Sequence, residues 1–196
     1  MENIQPNIRG MTLIETLVAI SILTVAIISP MSLTMQSLSA SYYARDQVTA
    51  FNLGQEAIES VRAVRDGNIL AIAFGTVLTC PDDGQPMHLL CGIPIATPFI
   101  IDTRDNARTP CTLPDGSDPD MLADCPSLQT DTNLYGYDSD PGWNNTRYKR
   151  TILAEFIPGT QDEIRVTVTM EWVVGRQTRT FTIYENLYRW VIDGSV

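Results

Sequence analysis

Residues 9–28, RGMTLIETLVAISILTVAII, are the most informative stretch of this sequence. A basic residue and a glycine stand directly before an apolar run, and Glu15 is the only formally charged side chain from Met11 to Met31. A helix rises about 1.5 Å per residue, so roughly 20 apolar residues span the hydrocarbon core of a bilayer. The run therefore predicts a transmembrane helix. An ionised acid inside such a helix costs roughly 2.5–3.5 kcal/mol, so Glu15 needs a partner or a function.

This arrangement resembles the processing signal and first helix of type IV prepilins. That family contains pilus subunits and the pseudopilins of type II secretion and DNA-uptake machines. The resemblance implies that a membrane peptidase cuts after Gly10 on the cytoplasmic side and then methylates the new amino terminus at Met11. It also implies that Glu15, the fifth residue of the mature chain, acts in assembly. The family usually has phenylalanine after the cut, where this sequence has Met11.

An ordinary secretory signal or signal anchor is the alternative interpretation of the same stretch. The leader, residues 1–10, carries one Arg and one Glu, so its side chains are net neutral instead of basic. The apolar run is longer than the usual core of about 7–15 residues, and no convincing small-residue cleavage site follows it. A plain anchor does not explain Gly10 directly before the run together with Glu15 five residues later. The sequence therefore favours the prepilin interpretation.

Composition limits the function further. The chain has 196 residues and a formal net charge of −10, which fits one medium domain plus an anchor. So acidic a chain argues against direct nucleic-acid binding through a broad basic surface. The sequence lacks the motifs of an α/β-hydrolase nucleophile, a phosphate-binding loop and a zinc protease. We therefore expect no enzymatic activity; an exported enzyme would need a catalytic constellation assembled from loop residues.

The residues after the membrane run predict a continuation of the same helix. We assign residues 11–31 to a transmembrane part and residues 32–66 to an amphipathic part. Asp66-Gly67-Asn68 predicts the helix end, because glycine can adopt the left-handed conformation that closes helices. Pro30 predicts a kink or a break, because it removes a backbone donor. The apolar residues near one side of the amphipathic part are Leu38, Phe51, Ala57, Ile58, Val61 and Val64.

Residues 67–147 are rich in proline and aspartate and predict a long loop region. Its four cysteines predict two disulfides and an oxidising compartment, in preference to a zinc site. Three pairings can be drawn, and we predict the sequential one because it closes the shortest loops. That pairing joins Cys80 to Cys91 and Cys111 to Cys125. Prepilin relatives often carry a disulfide nearer the carboxyl end, so these positions differ from that pattern.

Acidic residues in the same region are weak candidates for calcium ligands, because calcium prefers several oxygen ligands. No segment has the spacing of an EF-hand loop, and the alternative is a solvated acidic loop. Some pseudopilins hold calcium in the corresponding loop, so the resemblance keeps this expectation open. Otherwise we expect no cofactor. The candidates are Asp115, Asp118, Asp120, Asp138 and Asp140.

Residues 148–196 predict an antiparallel β-sheet. Apolar and polar residues alternate over residues 164–174, and shorter strands are predicted at residues 148–156 and 179–184. We expect three or four strands, whose apolar face the amphipathic helix covers. The fold class is therefore α+β and pilin-like. A long N-terminal helix, first transmembrane and then amphipathic, packs on a C-terminal antiparallel sheet, with a long disulfide-pinned loop between them.

The resemblance implies a structural subunit, either a minor pilin or a pseudopilin, of a type IV pilus or of a related type II secretion or DNA-uptake filament. The implied partners are other pilin or pseudopilin subunits through the N-terminal helix, the prepilin peptidase and the cytoplasmic membrane. The protein would be a single-pass cytoplasmic membrane protein before assembly and part of an extracytoplasmic or cell-surface filament afterwards. The alternative is a single-pass membrane-anchored extracytoplasmic binding module that does not assemble into filaments.

Overall fold

The computed structural model describes residues 10, 12–75, 79–80, 88, 90–111, 125–131, 134–138, 141–159 and 163–188. The chain divides into two compact units, Met1–Asp46 and Gln47–Val196. In its described part, the first unit consists mainly of the beginning of helix α1, Leu13–Phe74. The second unit contains the remainder of that helix and a β-sheet.

Helix α1 is longer than the sequence predicts. It passes through Pro30 without a break in its helical conformation and ends at Phe74, so the predicted end at Asp66 is wrong. Gly75, and not Gly67, has the left-handed backbone that closes the helix, with φ of +59°. The buried side chain of Asn68 donates a hydrogen bond from Nδ2 to the carbonyl oxygen of Cys91 at 2.9 Å. This tertiary contact holds Asn68 within the helix, although the sequence predicts that the helix ends at residues 66–68.

The seven strands found among the described residues lie in one sheet, and each strand pairing between them is antiparallel. The three strands predicted near the carboxyl end are confirmed, and each is extended by one or more residues. Four shorter strands lie within the described part of residues 67–147, where the sequence predicts a long loop region, so at these strands that prediction is wrong. The strands are β1 (Phe99–Asp102), β2 (Ala107–Pro110), β3 (Ser127–Thr130), β4 (Tyr135–Gly136), β5 (Asn144–Phe156), β6 (Glu163–Val174) and β7 (Gln177–Tyr188).

Strand β5 is the centre of the sheet. Its residues 148–156 pair with β6 on one edge, and β7 continues the sheet beyond β6. Strands β3 and β1 both pair with the other edge of β5, β3 near its beginning and β1 at Ile152. Strands β4 and β2 pair in turn with β3 and β1. The short strands are too brief to produce a clear alternating pattern, and pairing with β5, directly for β1 and β3 and through them for β2 and β4, makes them part of the sheet.

Helix α1 covers one face of this sheet with small and aliphatic side chains. The buried helix residues share one hydrophobic core with alternate residues of β6, such as Val168 and Met170. A Cβ atom on Gly54 would lie 3.2 Å from Cδ1 of Ile183 and 3.4 Å from Cγ of Met170, so a larger residue would require these side chains to shift. The predicted helix stripe is confirmed in the core for Ala57, Ile58 and Val61. Leu38 and Phe51 are instead largely exposed.

Arg150 is the largest fully buried side chain of the described residues, and sequence reasoning did not identify it. It donates hydrogen bonds from Nη1 to the carbonyl oxygen of Leu53 at 2.9 Å and from Nη2 to that of Ile101 at 2.7 Å. These two bonds connect β5 to helix α1 and to β1. The Tyr137 hydroxyl is also buried, which raises its pKa to about 12 although nearby Arg150 acts in the opposite direction.

The sequential disulfide pairing is confirmed. Cys80 bonds to Cys91 with 5.6 Å between their Cα atoms, and Cys111 bonds to Cys125 with 4.9 Å between theirs. All four cysteines are buried. The second pair packs against Ile100 of β1, so this disulfide is attached to the sheet. The first pair includes Cys91, whose carbonyl oxygen accepts the hydrogen bond from Asn68 of the helix.

Candidate processing and assembly site

The amino-terminal part of helix α1 presents an almost continuous apolar surface. The helix is long and apolar enough to cross a membrane, and its most apolar window is not buried inside the protein. Leu13, Ile14 and Leu17 are among the most exposed large apolar side chains of this segment. So much exposed apolar surface on one element is uncommon in water and marks a region that lipid or other apolar helices cover.

Hydroxyl groups within this apolar segment are satisfied by the helix itself. Thr16 donates to the carbonyl oxygen of Leu13, Ser21 to that of Val18 and Thr24 to that of Ser21, each at 2.8 Å. Such bonds back to the preceding turn remove the need for outside partners, as a hydrocarbon environment requires. Glu15 then remains the one formally charged side chain between Thr12 and Tyr43.

Thr12 and Glu15 together form the beginning of helix α1. The backbone N–H of Glu15 donates to the carbonyl oxygen of Thr12 at 3.0 Å, and its contact with Thr12 Oγ1 is 3.4 Å. A threonine followed three residues later by glutamate is the sequence signature of a capping box. Sequence reasoning singled out Glu15 and missed Thr12, although this spacing identifies both. A carboxylate in the first turn also interacts favourably with the positive end of the helix dipole.

The Glu15 side chain is exposed and makes no ion pair with any residue that the structure describes. Its charge is therefore not neutralised within the described part of the chain. The carboxylate is therefore available to a positively charged group outside the described part of the chain. Met11, the predicted methylated residue, lies outside the described residues.

Gly10 stands in open space among the residues that the structure describes. A Cβ atom at this position would meet nothing within 4 Å, and its φ is not in the left-handed region. Gly54 differs, because a Cβ atom there would lie 3.2 to 3.4 Å from side chains of β6 and β7. A requirement for glycine at position 10 would therefore come from a molecule that acts on this residue.

A family model, the prokaryotic N-terminal methylation motif, matches residues 5–29. The match indicates a type IV prepilin-like protein. It covers Gly10, Thr12 and Glu15, and hydrogen bonds join the last two at the start of helix α1. The prepilin motif and the apolar helix together fit a membrane-anchored protein. No curated protein and no solved structure matches the chain.

Of the calcium candidates, only Asp138 lies within the described residues, while Asp115, Asp118, Asp120 and Asp140 lie outside them. Asp138 binds Nη1 of Arg104 at 2.9 Å. Among the described residues, no group of three or more His, Cys, Asp or Glu side chains is placed to hold a metal ion. Calcium binding by this region of the prepilin-like chain stays a prediction.

Arg104 is held by an ion-pair cluster beside β1. It binds Asp102 at 2.7 Å and Asp138 at 2.9 Å, and its guanidinium lies 4.4 Å from the ring centroid of Trp143. Asp102 also accepts a hydrogen bond from the backbone N–H of Tyr137 at 3.0 Å. Burial acts to raise the pKa of Asp102, but the hydrogen bonds from Arg104 and Tyr137 outweigh it and lower that pKa. The cluster joins β1 to the segment after β4.

Replacing Asp102 by asparagine is expected to destabilise the fold by about 1–3 kcal/mol near pH 7, because Arg104 loses a charge-assisted partner. The pKa of Asp102 is lower in the folded chain than in the unfolded one. Its stabilisation is therefore complete above the unfolded pKa, about 3.9, and is lost as the pH falls through the folded pKa. Denaturant unfolding at pH values near 7 and near 3 measures the difference, with Asp105→Asn as the exposed neighbouring control. A destabilisation by Asp102→Asn that is as large near pH 3 as near pH 7 would contradict this account.

Proposed function

We propose that the protein is a structural subunit of a type IV pilus or of a related type II secretion or DNA-uptake filament, as a minor pilin or a pseudopilin. It is made as a prepilin, cut after Gly10 by the prepilin peptidase and N-methylated at Met11. The observation that carries this proposal is the beginning of helix α1. An exposed apolar helix follows Thr12, and the carboxylate in its first turn makes no ion pair with the described residues; both lie within the residues that match the methylation motif.

The proposed partner of Glu15 is the amino group of Met11 in a neighbouring subunit. That amino group exists only after the bond following Gly10 is cut, so maturation creates the positive charge that assembly needs. In an apolar surrounding, an unpaired carboxylate has a high free-energy cost. Every axial offset between neighbouring helices carries this cost except the one that pairs Glu15 with the amino group. The pairing would therefore fix the axial offset between subunits. The other proposed partners are pilin or pseudopilin subunits, packed through the exposed apolar helix, and the cytoplasmic membrane.

The proposed role is structural and not catalytic. The protein would wait in the cytoplasmic membrane as a single-pass protein and later become part of a filament outside it. A membrane-anchored extracytoplasmic binding module is the second candidate, because the unit of residues 47–196 has a core of its own. The two candidates differ in the fate of the amino terminus, since a binding module needs neither cleavage nor methylation.

Mass spectrometry of the amino-terminal peptide from purified membranes and from sheared filaments tests the proposal. We expect the peptide to begin at N-methylated Met11 in both fractions. An intact leader in membranes, together with no protein in the sheared fraction, would support the anchored binding module instead. A methylated Met11 in membranes without any protein in filaments would keep the maturation step and refute the filament role.

A further inference from the structure

Strand β7 forms a long and regular edge of the sheet. It pairs with β6 residue by residue from Gln177 opposite Val174 to Tyr188 opposite Glu163, without a bulge. No strand within the described ranges pairs with the other edge of β7. Proteins usually protect such an edge with proline, a bulge or charged side chains, lysine above all, because its free N–H and C=O groups attract another strand. Strand β7 contains no proline, lysine or bulge, and its charged side chains are Arg179 and Glu185.

The side chains of β7 alternate between two faces with different chemistry. On the face towards helix α1, Phe181 and Ile183 lie against Gly54, and Glu185 binds Arg62 of the helix. Arg179 lies in the same row by alternation. Along the chain, this row therefore contains one basic residue, two apolar residues and one acidic residue. The opposite face carries Thr178, Thr180, Thr182 and Tyr184.

We propose that β7 of a second copy of this chain pairs with this edge, antiparallel and about a two-fold axis at Thr182. In that register Arg179 lies opposite Glu185 of the other copy, and Phe181 lies opposite Ile183. Because the contact is two-fold, each of these pairs occurs twice. On the other face Thr180 lies opposite Tyr184. Opposite charges and aromatic residues beside β-branched ones are the cross-strand pairs that stabilise sheets.

The charges select this register over its competitors. A parallel in-register pairing would place Arg179 opposite Arg179 and Glu185 opposite Glu185, and like charges directly opposite each other are destabilising. An antiparallel pairing shifted by two residues would place both charged side chains beside other partners, without the ion pairs. The row of β7 residues that faces the helix is therefore complementary to itself in one antiparallel register.

This contact differs from the contacts of the proposed filament. Neighbouring subunits of a helical filament meet through different surfaces of each subunit, whereas a two-fold contact uses the same surface on both. The β7 pairing therefore links copies that are not neighbours in one filament, for example copies in two filaments that lie side by side. It does not depend on cleavage at Gly10, so it can be tested whether or not the filament proposal holds.

A single cysteine at the two-fold axis tests the pairing in the full-length protein solubilised in mild detergent. Directly opposed Cα atoms in antiparallel strands lie about 4.5–5.5 Å apart, within the range of about 4.4–6.8 Å for disulfides. We expect Thr182→Cys protein to form a disulfide-linked dimer under mild oxidation. Mass spectrometry should find the bond between the two copies of residue 182, with both native disulfides intact.

The matched control is Thr180→Cys, which is on the same face and is also exposed. In the proposed register its own copy lies four residues further along the partner strand, roughly 13 Å away, and cannot be bridged. It should stay monomeric alone and cross-link when mixed with Tyr184→Cys protein. Adding Arg179→Glu to the Thr182→Cys protein should lower cross-linking at least tenfold, because it places like charges opposite each other twice.

Four results would overturn the proposal. The first is a Thr182→Cys protein that stays monomeric, and the second is equal cross-linking of the Thr180→Cys protein alone, which indicates random collision. The third is a cross-link to a different protein, which would assign the edge to another partner. The fourth is cross-linking only after deletion of residues 189–196, which would mean that the chain covers this edge itself.

Discussion

A Gly10→Val protein is expected to keep its leader and to be absent from filaments. No described residue lies within 4 Å of a Cβ atom at Gly10, so the substitution creates no clash with the described part of the chain. The expected block therefore lies in the peptidase, whose active site must accept the residue before the cut bond. An uncut leader also keeps Glu2 and Arg9 attached to the apolar helix. Moving such charges into lipid costs roughly 2.5–3.5 kcal/mol each, so the uncut protein should stay in the membrane.

The mass of the amino-terminal peptide and the amount of protein in sheared filaments measure this effect together. Gly67→Val is the matched control, because a Cβ at Gly67 also meets nothing within 4 Å, but the residue lies far from the cleavage site. The control should be cut and assembled normally. Native disulfides in both variants would confirm that both fold. Normal cleavage of the Gly10→Val protein would refute the assigned cleavage site.

A Glu15→Gln protein is expected to insert into the membrane and to be cut, but to enter filaments at least about tenfold less than the wild type. Glutamine keeps the size of the side chain and removes the charge that the amino group of a neighbouring Met11 would pair with. A lost pairing of only about 1.4 kcal/mol changes an equilibrium tenfold, and the cost of an unpaired group in lipid exceeds that. The fraction of cleaved protein recovered in sheared filaments measures the loss.

The capping box supplies the control for this substitution. Glutamine can replace glutamate at N3, the last position of the box, so Glu15→Gln should leave the helix start intact. Thr12→Val does the reverse: it removes the Oγ1 acceptor and keeps the charge at Glu15. Loss of a helix cap typically costs about 0.5–2 kcal/mol, so its effect on incorporation should be smaller.

Three outcomes separate the roles of Glu15. Failure of Glu15→Gln protein to be cut would assign this residue to recognition by the peptidase. Equal losses from Thr12→Val and Glu15→Gln would assign it to the helix start. Wild-type incorporation of fully cleaved Glu15→Gln protein would refute the pairing and leave the prepilin-like assignment unchanged, with the carboxylate close enough to the headgroups to remain hydrated.

The sequence by itself determined the elements whose signals are local. The apolar run after Gly10 predicts the exposed helix, because composition and length suffice to identify a segment for lipid. The period-two alternation of residues 164–174 predicts β6, because one face of that strand is buried and the other is more exposed to solvent. The cysteine pairing also follows from short separations along the chain, of 11 and 14 residues. Each of these signals lies within a short segment of the sequence.

Only the tertiary structure decided the features that depend on distant residues. Helix α1 continues past Gly67 to Phe74, with buried Asn68 bound to Cys91. Strands β1 and β3 form because β5 offers them an edge, and β2 and β4 then pair with β1 and β3. A pattern of two to four residues cannot predict such pairing. Arg150 carries a charge, yet it is buried, and carbonyl oxygens of helix α1 and β1 accept its hydrogen bonds. In each case the partner is far away in the sequence, and the free energy of satisfying a buried polar group or pairing a strand outweighs the local preference.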